Sequence, residues 1–580
     1  MTDPEASRIK LQGIAEDYFV HLGRHLPQQC ASDEFYFMPR SQHALPYLNQ
    51  LDDLTPEKIL DHIRHVEELL GKLPGGSGGN SEGDIDCGLL RMSMESFLRE
   101  FRDIKVWRSD PTLYVKIPLF ATAQAMSEQV GPSHYNETLG TLFSQISPFL
   151  EKAAGNLEAP SELSVAVTVE MIHDAIRFYK QDVPFFIEAK GGSEKSLSSK
   201  IPEVLSAWAE YEKALHRSPS RVAFSIGKEG LGEMLLQSLF YAKSPGEVLE
   251  IALHAYHETL EKIHALVKAI DSKKDWATLQ SERISLVSSP EQAVELYRKE
   301  VEKLRDFFPA QGIVPYPPGE EVDVLETPPY LKSLRATASY MAPLTGRPSE
   351  RGTFFITPGQ EDMELISGHC PYLCAHETYP GHHILDHIRI HHPNPLRRQI
   401  ESPLFYEGWA CYAELLLDEL GYITEPRQQL IQLERQLWRC LRAILDVKLQ
   451  SGTMTLEQGQ GEIEKLGFSS KRARRQIRRF ALTPGYQSCY FLGTYEIMVL
   501  REKYTQGLPR HSAGRWRDPL SVCGEETERI PEPNKEKWSQ GPVHGIRAGN
   551  AGGNYSGSKF HGSRFRGLWT NRDLDRDGEQ

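Results

Sequence analysis

Residues 375–383 read Ala375-His376-Glu377-Thr378-Tyr379-Pro380-Gly381-His382-His383. A His-Glu-x-x-His helix of a zinc hydrolase sets two imidazoles four residues apart on one face, with the Glu beside them to polarise water. Here the second His comes late. A regular helix turns about 100° and rises about 1.5 Å per residue, so His383, seven residues on, regains the face of His376 only ~10.5 Å further along the axis. His382, six on, would point away. Pro380 has no N–H for the carbonyl of His376 and its ring clashes there. Gly381 adopts backbone angles that other residues resist. A bulge that loops out two residues then puts His382 where the fourth-on His belongs. His376 and His382 are the predicted ligands. His383 competes, as a ligand or as an oxyanion donor.

An open catalytic metal site needs a third protein ligand. Downstream stands Phe405-Tyr406-Glu407-Gly408-Trp409-Ala410-Cys411-Tyr412-Ala413-Glu414. Glu407 and Glu414 share one face of a predicted helix with Cys411. Acidic side chains on an apolar face are costly to bury unless paired or bound to metal. The predicted set is two His and Glu407, with a fourth position left for water. Glu414 then orients a ligand imidazole from behind. Two other groupings compete: His383, His387 and His391 at four-residue spacing, and Cys370 with Cys374. A solvated His face and buried thiols are the plainer readings of these.

The flanking pattern is helical. Pro56 at a first helical position leads Ile59, Leu60, Ile63, Val66 and Leu70 along one face. Ser244-Pro-Gly-Glu247 is a capping box, and Ser289-Pro-Glu-Gln292 is a similar start. Val294, Tyr297, Val301, Leu304 and Phe308 then recur at the helical period. Leu73 to Asp84 reads as a flexible loop. Gly352 to Thr357 is the best strand signal. The fold class is mainly α, with a small β element beside the His-Glu helix.

Composition narrows the function classes. The chain has 580 residues, with 66 Lys and Arg against 79 Asp and Glu, a formal net charge of −13. Such a balance argues against a nonspecific nucleic-acid or anionic-membrane binder. No membrane-spanning run and no secretory signal are read. The 8 cysteines are too sparse for a disulfide scaffold, and reduced thiols in the cytoplasm are the expectation. Residues 1–504 are read as one helical unit with its motifs in 350–500. Residues 505–580 are read as a low-complexity, disordered tail.

The His376–His383 segment followed by Glu407-Gly-Trp-Ala-Cys-Tyr-Ala-Glu414 resembles the domain-of-unknown-function 885 family, grouped with the gluzincin-type zinc metallopeptidases. A third segment, Thr483-Pro484-Gly485-Tyr486-Gln487-Ser488-Cys489-Tyr490-Phe491-Leu492-Gly493, adds to the resemblance, as do Arg442 and Asp446. Gln450 stands where the family often has a His. The resemblance implies a large zincin-like helical fold. It implies one zinc ion per chain on His376, His382 and Glu407. Glu377 would be the general base, taking a proton from water and delivering it to the leaving amine. Tyr490 would stabilise the oxyanion, and Arg442 would hold a substrate carboxylate. Thr353 to Ile356 would pair with an extended peptide. The expected partner is a short peptide. The alternatives are a metal-dependent reaction on a non-peptide amide or other small molecule, and an inactive helical scaffold.

Overall fold

The computed structural model describes residues 4–505, apart from 75–80, 127–134, 190–194, 284, 313, 315, 329–336, 344–350 and 358–362. The tail expected over 505–580 lies, beyond its first residue, outside the described residues. The described chain is mainly helical. Helix α1 spans Pro4–His25 and α2 Pro56–Lys72. Further on come α3 (Pro245–Ile270) and α4 (Pro290–Gln311). Three strands follow: β1 (Val322–Glu326), β2 (Ala338–Met341) and β3 (Gly352–Ile356). The last third holds α5 (Met363–Glu377), α6 (His382–Ile390), α7 (Pro403–Glu419), α8 (Pro426–Gln450), α9 (Ser470–Leu482) and α10 (Tyr486–Thr505).

Most helix starts follow the local chemistry. The Ser244 side chain accepts from the Glu247 N–H while Glu247 reaches back, the reciprocal box expected. Ser289 accepts from the Gln292 N–H. The loop read over Leu73 to Asp84 is shorter than expected, because Ser81 and Asp84 form another such box and start a helix at Glu82. The face of α2 is also turned from the expectation. Ile59, Ile63 and Val66 are buried, but His62 and Leu69 join them and Leu60 is left exposed.

One core joins the N-terminal helices. A second set of clusters surrounds α8, whose C-terminal half is buried on most sides. Cys440, Ala443, Ile444 and Val447 pack towards α3 and α10, and Leu441, Leu445 and Leu449 towards α9. No described helix is long and apolar enough to cross a membrane. The seven described cysteines are unpaired and buried.

The sheet order is β1-β3-β2, with β1 parallel and β2 antiparallel to β3. This corrects the expectation for Thr353 to Ile356. That strand is central, and its backbone is spent on both neighbours. The edge beside the His-Glu helix belongs to β2 instead. Thr337 O accepts from the Thr357 N–H, so the alternation of a strand turns Ala338 and Tyr340 outward. The Tyr340 N–H donates to Glu377 Oε2 at 2.9 Å.

Four histidines meet where α1 crosses α2. His21 Nε2 lies 3.0 Å from His62 Nδ1, and the rings of His25 and His65 stand 5.1 and 4.0 Å from that of His21. Burial, helped by His25 and Lys58, lowers the pKa of His62 from 6.5 to about 4. The folded state therefore prefers the neutral imidazole. Its contribution is complete above 6.5 and is lost as pH falls, because the unfolded chain binds the proton first. At 1.36 kcal/mol per pH unit, the span from 6.5 to about 4 makes about 3 kcal/mol. His62→Asn keeps an acceptor near the Nδ1 position and removes the titration. Denaturant unfolding from pH 7 to 4 is expected to show a shallower loss of stability in this variant than in the parent chain.

Candidate metal centre

Helix α5 ends at Glu377 and α6 begins at His382. The expected bulge is a full break: four residues, Thr378 to Gly381, form a turn between two helices. Thr378 closes α5 by donating both its N–H and its hydroxyl to Cys374 O. The Trp409 indole N–H, from α7, donates to Pro380 O at 2.8 Å. A Cβ on Gly381 would lie 1.9 Å from His376 O and 2.3 Å from Ala375 O. Only glycine lets the chain fold back this tightly on the helix end.

The turn brings His376 and His382 together, with ring centroids 4.8 Å apart. Glu407 reaches them from α7. Its Oε2 lies 3.5 Å from His376 Nε2 and 3.6 Å from His382 Nε2. Tetrahedral ligands at Zn–N and Zn–O bonds of ~2.0–2.1 Å stand about 3.4 Å apart. The three atoms are thus spaced as one small cation would hold them. All three residues are buried. Glu407 Oε2 has no hydrogen-bond partner, while Oε1 accepts from the Tyr486 hydroxyl at 2.9 Å. Tyr486 therefore turns one oxygen away and leaves the other aimed at the imidazoles.

Glu414 stands behind His376, with Oε1 2.8 Å from His376 Nδ1. It is fully buried. Arg435 forks onto it, Nε to Oε2 at 2.6 Å and Nη2 to Oε1 at 2.7 Å, and Arg439 adds a third contact. Burial pushes the Glu414 carboxyl up, but the two guanidiniums hold it well below the usual range. Glu407 is also held low against its burial, by His376 and His382. Burial lowers the His376 pKa, yet contacts with Cys411, Glu407 and Glu414 raise it well above 6.5. The pocket thus favours a positive charge between imidazole and carboxylate, whether a proton or a metal ion.

Among the described residues, two triads can hold a metal: His376, His382 and Glu407, and His376, Cys411 and Glu414. The second spends Glu414, which Arg435 and Arg439 already neutralise. His383 belongs to neither. Its Nε2 lies 3.0 Å from Glu320 Oε2, and its Nδ1 3.4 Å from the Tyr340 hydroxyl. His387 and His391 run on along α6 towards the surface, and Cys370 and Cys374 lie against each other at 3.9 Å.

Tyr490 lies one helical turn beyond Tyr486, near Glu407. Burial and the Glu407 charge push its pKa up to about 12, against Arg442 and Arg479, so the phenol keeps its proton at neutral pH. The Arg442 fork, expected to take a substrate carboxylate, is engaged. Nε and Nη2 both donate to Gln487 Oε1, and the guanidinium lies 3.5 Å over the Tyr490 ring. Reasoning from sequence passed over Tyr486, Arg435, Arg439 and Glu320. A four-residue spacing marks Tyr486 beside Tyr490 and Arg435 beside Arg439. Nothing local marks Glu320, which comes from the loop before β1.

A cleft of about 1590 Å³ opens beside the centre. Tyr486, Arg435 and Ala338 line it, so its wall includes direct neighbours of Glu407 and Glu414 and the outward edge of β2.

The approach of α10 to α7 sets the Tyr486 contact. A Cβ on Gly493 would meet Leu404 O at 1.9 Å and Gly408 Cα at 2.7 Å. Gly493→Ala must part the two helices. It is expected to cost roughly 1–3 kcal/mol in denaturant unfolding, and to move Tyr486 off Glu407. Unchanged stability would show that the helices are not held this close.

Two solved structures share the fold. A predicted lipoprotein of unknown function from Shewanella oneidensis aligns with a TM-score of 0.68 at 18% identity, over 87% of this chain and 95% of its own. A predicted lipoprotein from Colwellia psychrerythraea aligns with a TM-score of 0.70 at 18% identity, over 86% and 93%. No curated protein matches the chain. The family of bacterial proteins of unknown function DUF885 matches residues 40–517, and the chain belongs to it.

Proposed function

We propose that the chain is a zinc-dependent hydrolase of the gluzincin type, with a zincin-like fold, that cleaves short peptides. The convergence of His376 Nε2, His382 Nε2 and an unpartnered Glu407 Oε2 carries this reading. A zincin-like arrangement is supported by a His-Glu helix beside a strand edge, with the third ligand from a later helix. The unpaired, buried thiols among the described residues support a reducing compartment, the cytoplasm.

Bound by these three residues, zinc would supply Lewis acidity, polarising a scissile carbonyl and making water easier to deprotonate. Glu377 adjoins His376 in sequence, and the Tyr340 N–H fixes one of its oxygens. It accepts the proton of the attacking water as the C–O bond forms, and returns it to the nitrogen as the C–N bond breaks. Tyr490 and Tyr486 are protonated donors beside Glu407, and Tyr490 is the one assigned to the developing oxyanion. Arg442 positions the Tyr490 ring by stacking on it. Glu414 keeps His376 Nδ1 as donor, which leaves Nε2 free to bind metal.

Metal analysis of purified protein is expected to find one zinc ion per chain, lost in His382→Ala and kept in His383→Ala. Loss in His383→Ala alone would overturn the ligand set. Glu414→Gln is expected to weaken zinc about 10–100-fold. In a peptide library assay, Glu377→Gln is expected to abolish cleavage while keeping the metal. Turnover retained in that variant would remove Glu377 from the reaction.

A further inference from the structure

Helix α9 is the most basic segment of an acidic chain. Its Ala473, Ile477, Phe480 and Ala481 are buried. Its Lys471, Arg472, Arg474, Arg475, Arg478 and Arg479 all line the cleft that adjoins the metal centre. Five acidic residues, Asp33, Glu34, Asp110, Glu170 and Glu434, also line the cleft, and Glu434, Glu170 and Glu34 among them are ion-paired. Glu434 accepts from Arg283 at 2.7 Å, Glu170 from Arg478 at 2.6 Å, and Glu34 lies 3.1 Å from Lys116. Arg474, Arg475 and Arg479 are exposed and line the cleft, and the guanidinium of none of them makes a hydrogen bond or ion pair with another described residue. Arg479 is near enough to Glu34 and Glu407 for their charges to act on it, and it adjoins Tyr486 and Tyr490.

Against a net charge of −13 over the whole molecule, a wall with more basic than acidic side chains is conspicuous. Inside a cleft with low-dielectric walls the field of like charges is focused, and it raises the local concentration of the opposite charge. The outward edge of β2 enters the same cleft at Ala338, with a backbone N–H and C=O turned from β3. A strand edge pairs with an extended polypeptide, and nucleic acid offers it no such ladder.

We infer that the cleft receives a polypeptide rich in Asp and Glu, held by the arginines of α9 and paired with β2 on its way to the metal centre. The choice of a peptide as occupant rests on the hydrolase reading; the preference for negative charge rests on the cleft alone. Arg479, next to the centre, takes the carboxylate nearest the cleaved bond, the role that the engaged fork of Arg442 leaves open.

Fluorescence anisotropy on the full, zinc-supplied chain carrying Glu377→Gln tests this without turnover. The probes are labelled Glu-Ala and Lys-Ala repeat peptides of about ten residues and an oligothymidylate of similar length. The Glu-Ala peptide is expected to bind at least tenfold more tightly than the Lys-Ala peptide, with an advantage that shrinks as salt is added. The pair Arg474→Glu and Arg475→Glu, both at exposed positions, is expected to abolish that advantage. Lys268→Glu, exposed on α3 and away from the cleft, is expected to leave it. Equal binding of the two peptides, or no change in the double variant, would overturn the inference. Oligothymidylate binding as tight as the Glu-Ala peptide would assign the cleft to nucleic acid and overturn it too. Tight Glu-Ala binding without cleavage by the parent chain would uphold the cleft and count against the hydrolase. Cleavage preferring neutral or basic peptides would do the reverse.

Discussion

Two carboxylates, Glu407 and Glu414, lie on α7, whose other buried side chains are mostly apolar. Removing an ion from water costs several kcal/mol even after relaxation, so each must be met by charge and hydrogen bonds. Glu414 is met by Arg435, Arg439 and His376. Glu407 is met on one oxygen by Tyr486 and faces two imidazoles with the other. Much of the surrounding architecture satisfies this demand. α8 supplies the guanidiniums, α5 and α6 the imidazoles, and α10 the phenol. His376 joins the two carboxylates into one network, taking Glu414 on Nδ1 and facing Glu407 with Nε2.

Steric constraints fix how closely these helices approach. Gly381 lets the chain reverse against the end of α5, which sets the distance between the imidazoles. Gly493 and Gly408 let α10 lie on α7, and so bring Tyr486 to Glu407. Trp409 ties the turn to α7 through Pro380 O. Neither a glycine nor an indole does chemistry here. They hold the polar atoms within a fraction of an ångström of a geometry that a cation can bridge.

Much of the fold and of the centre was legible along the chain. Caps at Ser244 and Ser289 and the period from Val294 to Phe308 are local signals, because a helix repeats within four residues and satisfies its own backbone. His376, His382, Glu407 and Glu414 were legible because Pro380 and Gly381 interrupt a helix at one place and because acid on an apolar face needs a reason. The partners of these residues were not. Arg435 and Arg439 read as ordinary polar positions on a long helix until α8 is laid against Glu414. Thr353 to Ile356 read as a strand with a free edge, since a sequence shows β-propensity but not which edges are covered. His383 and His382 are adjacent, and only the path of the turn sends one to Glu407 and the other to Glu320.

By itself, then, the sequence determined a helical protein, the residue types able to hold a metal ion, and the break that brings two histidines together. These follow from backbone sterics, helical periodicity and the cost of buried charge, all of which act over a few residues. The tertiary structure decided which oxygen of Glu407 is free, which phenol orients it, which strand turns its outer edge to the cleft, and that the arginines of α9 line that cleft. Those outcomes depend on contacts between segments tens to hundreds of residues apart, whose relative placement is set by packing the whole core at once.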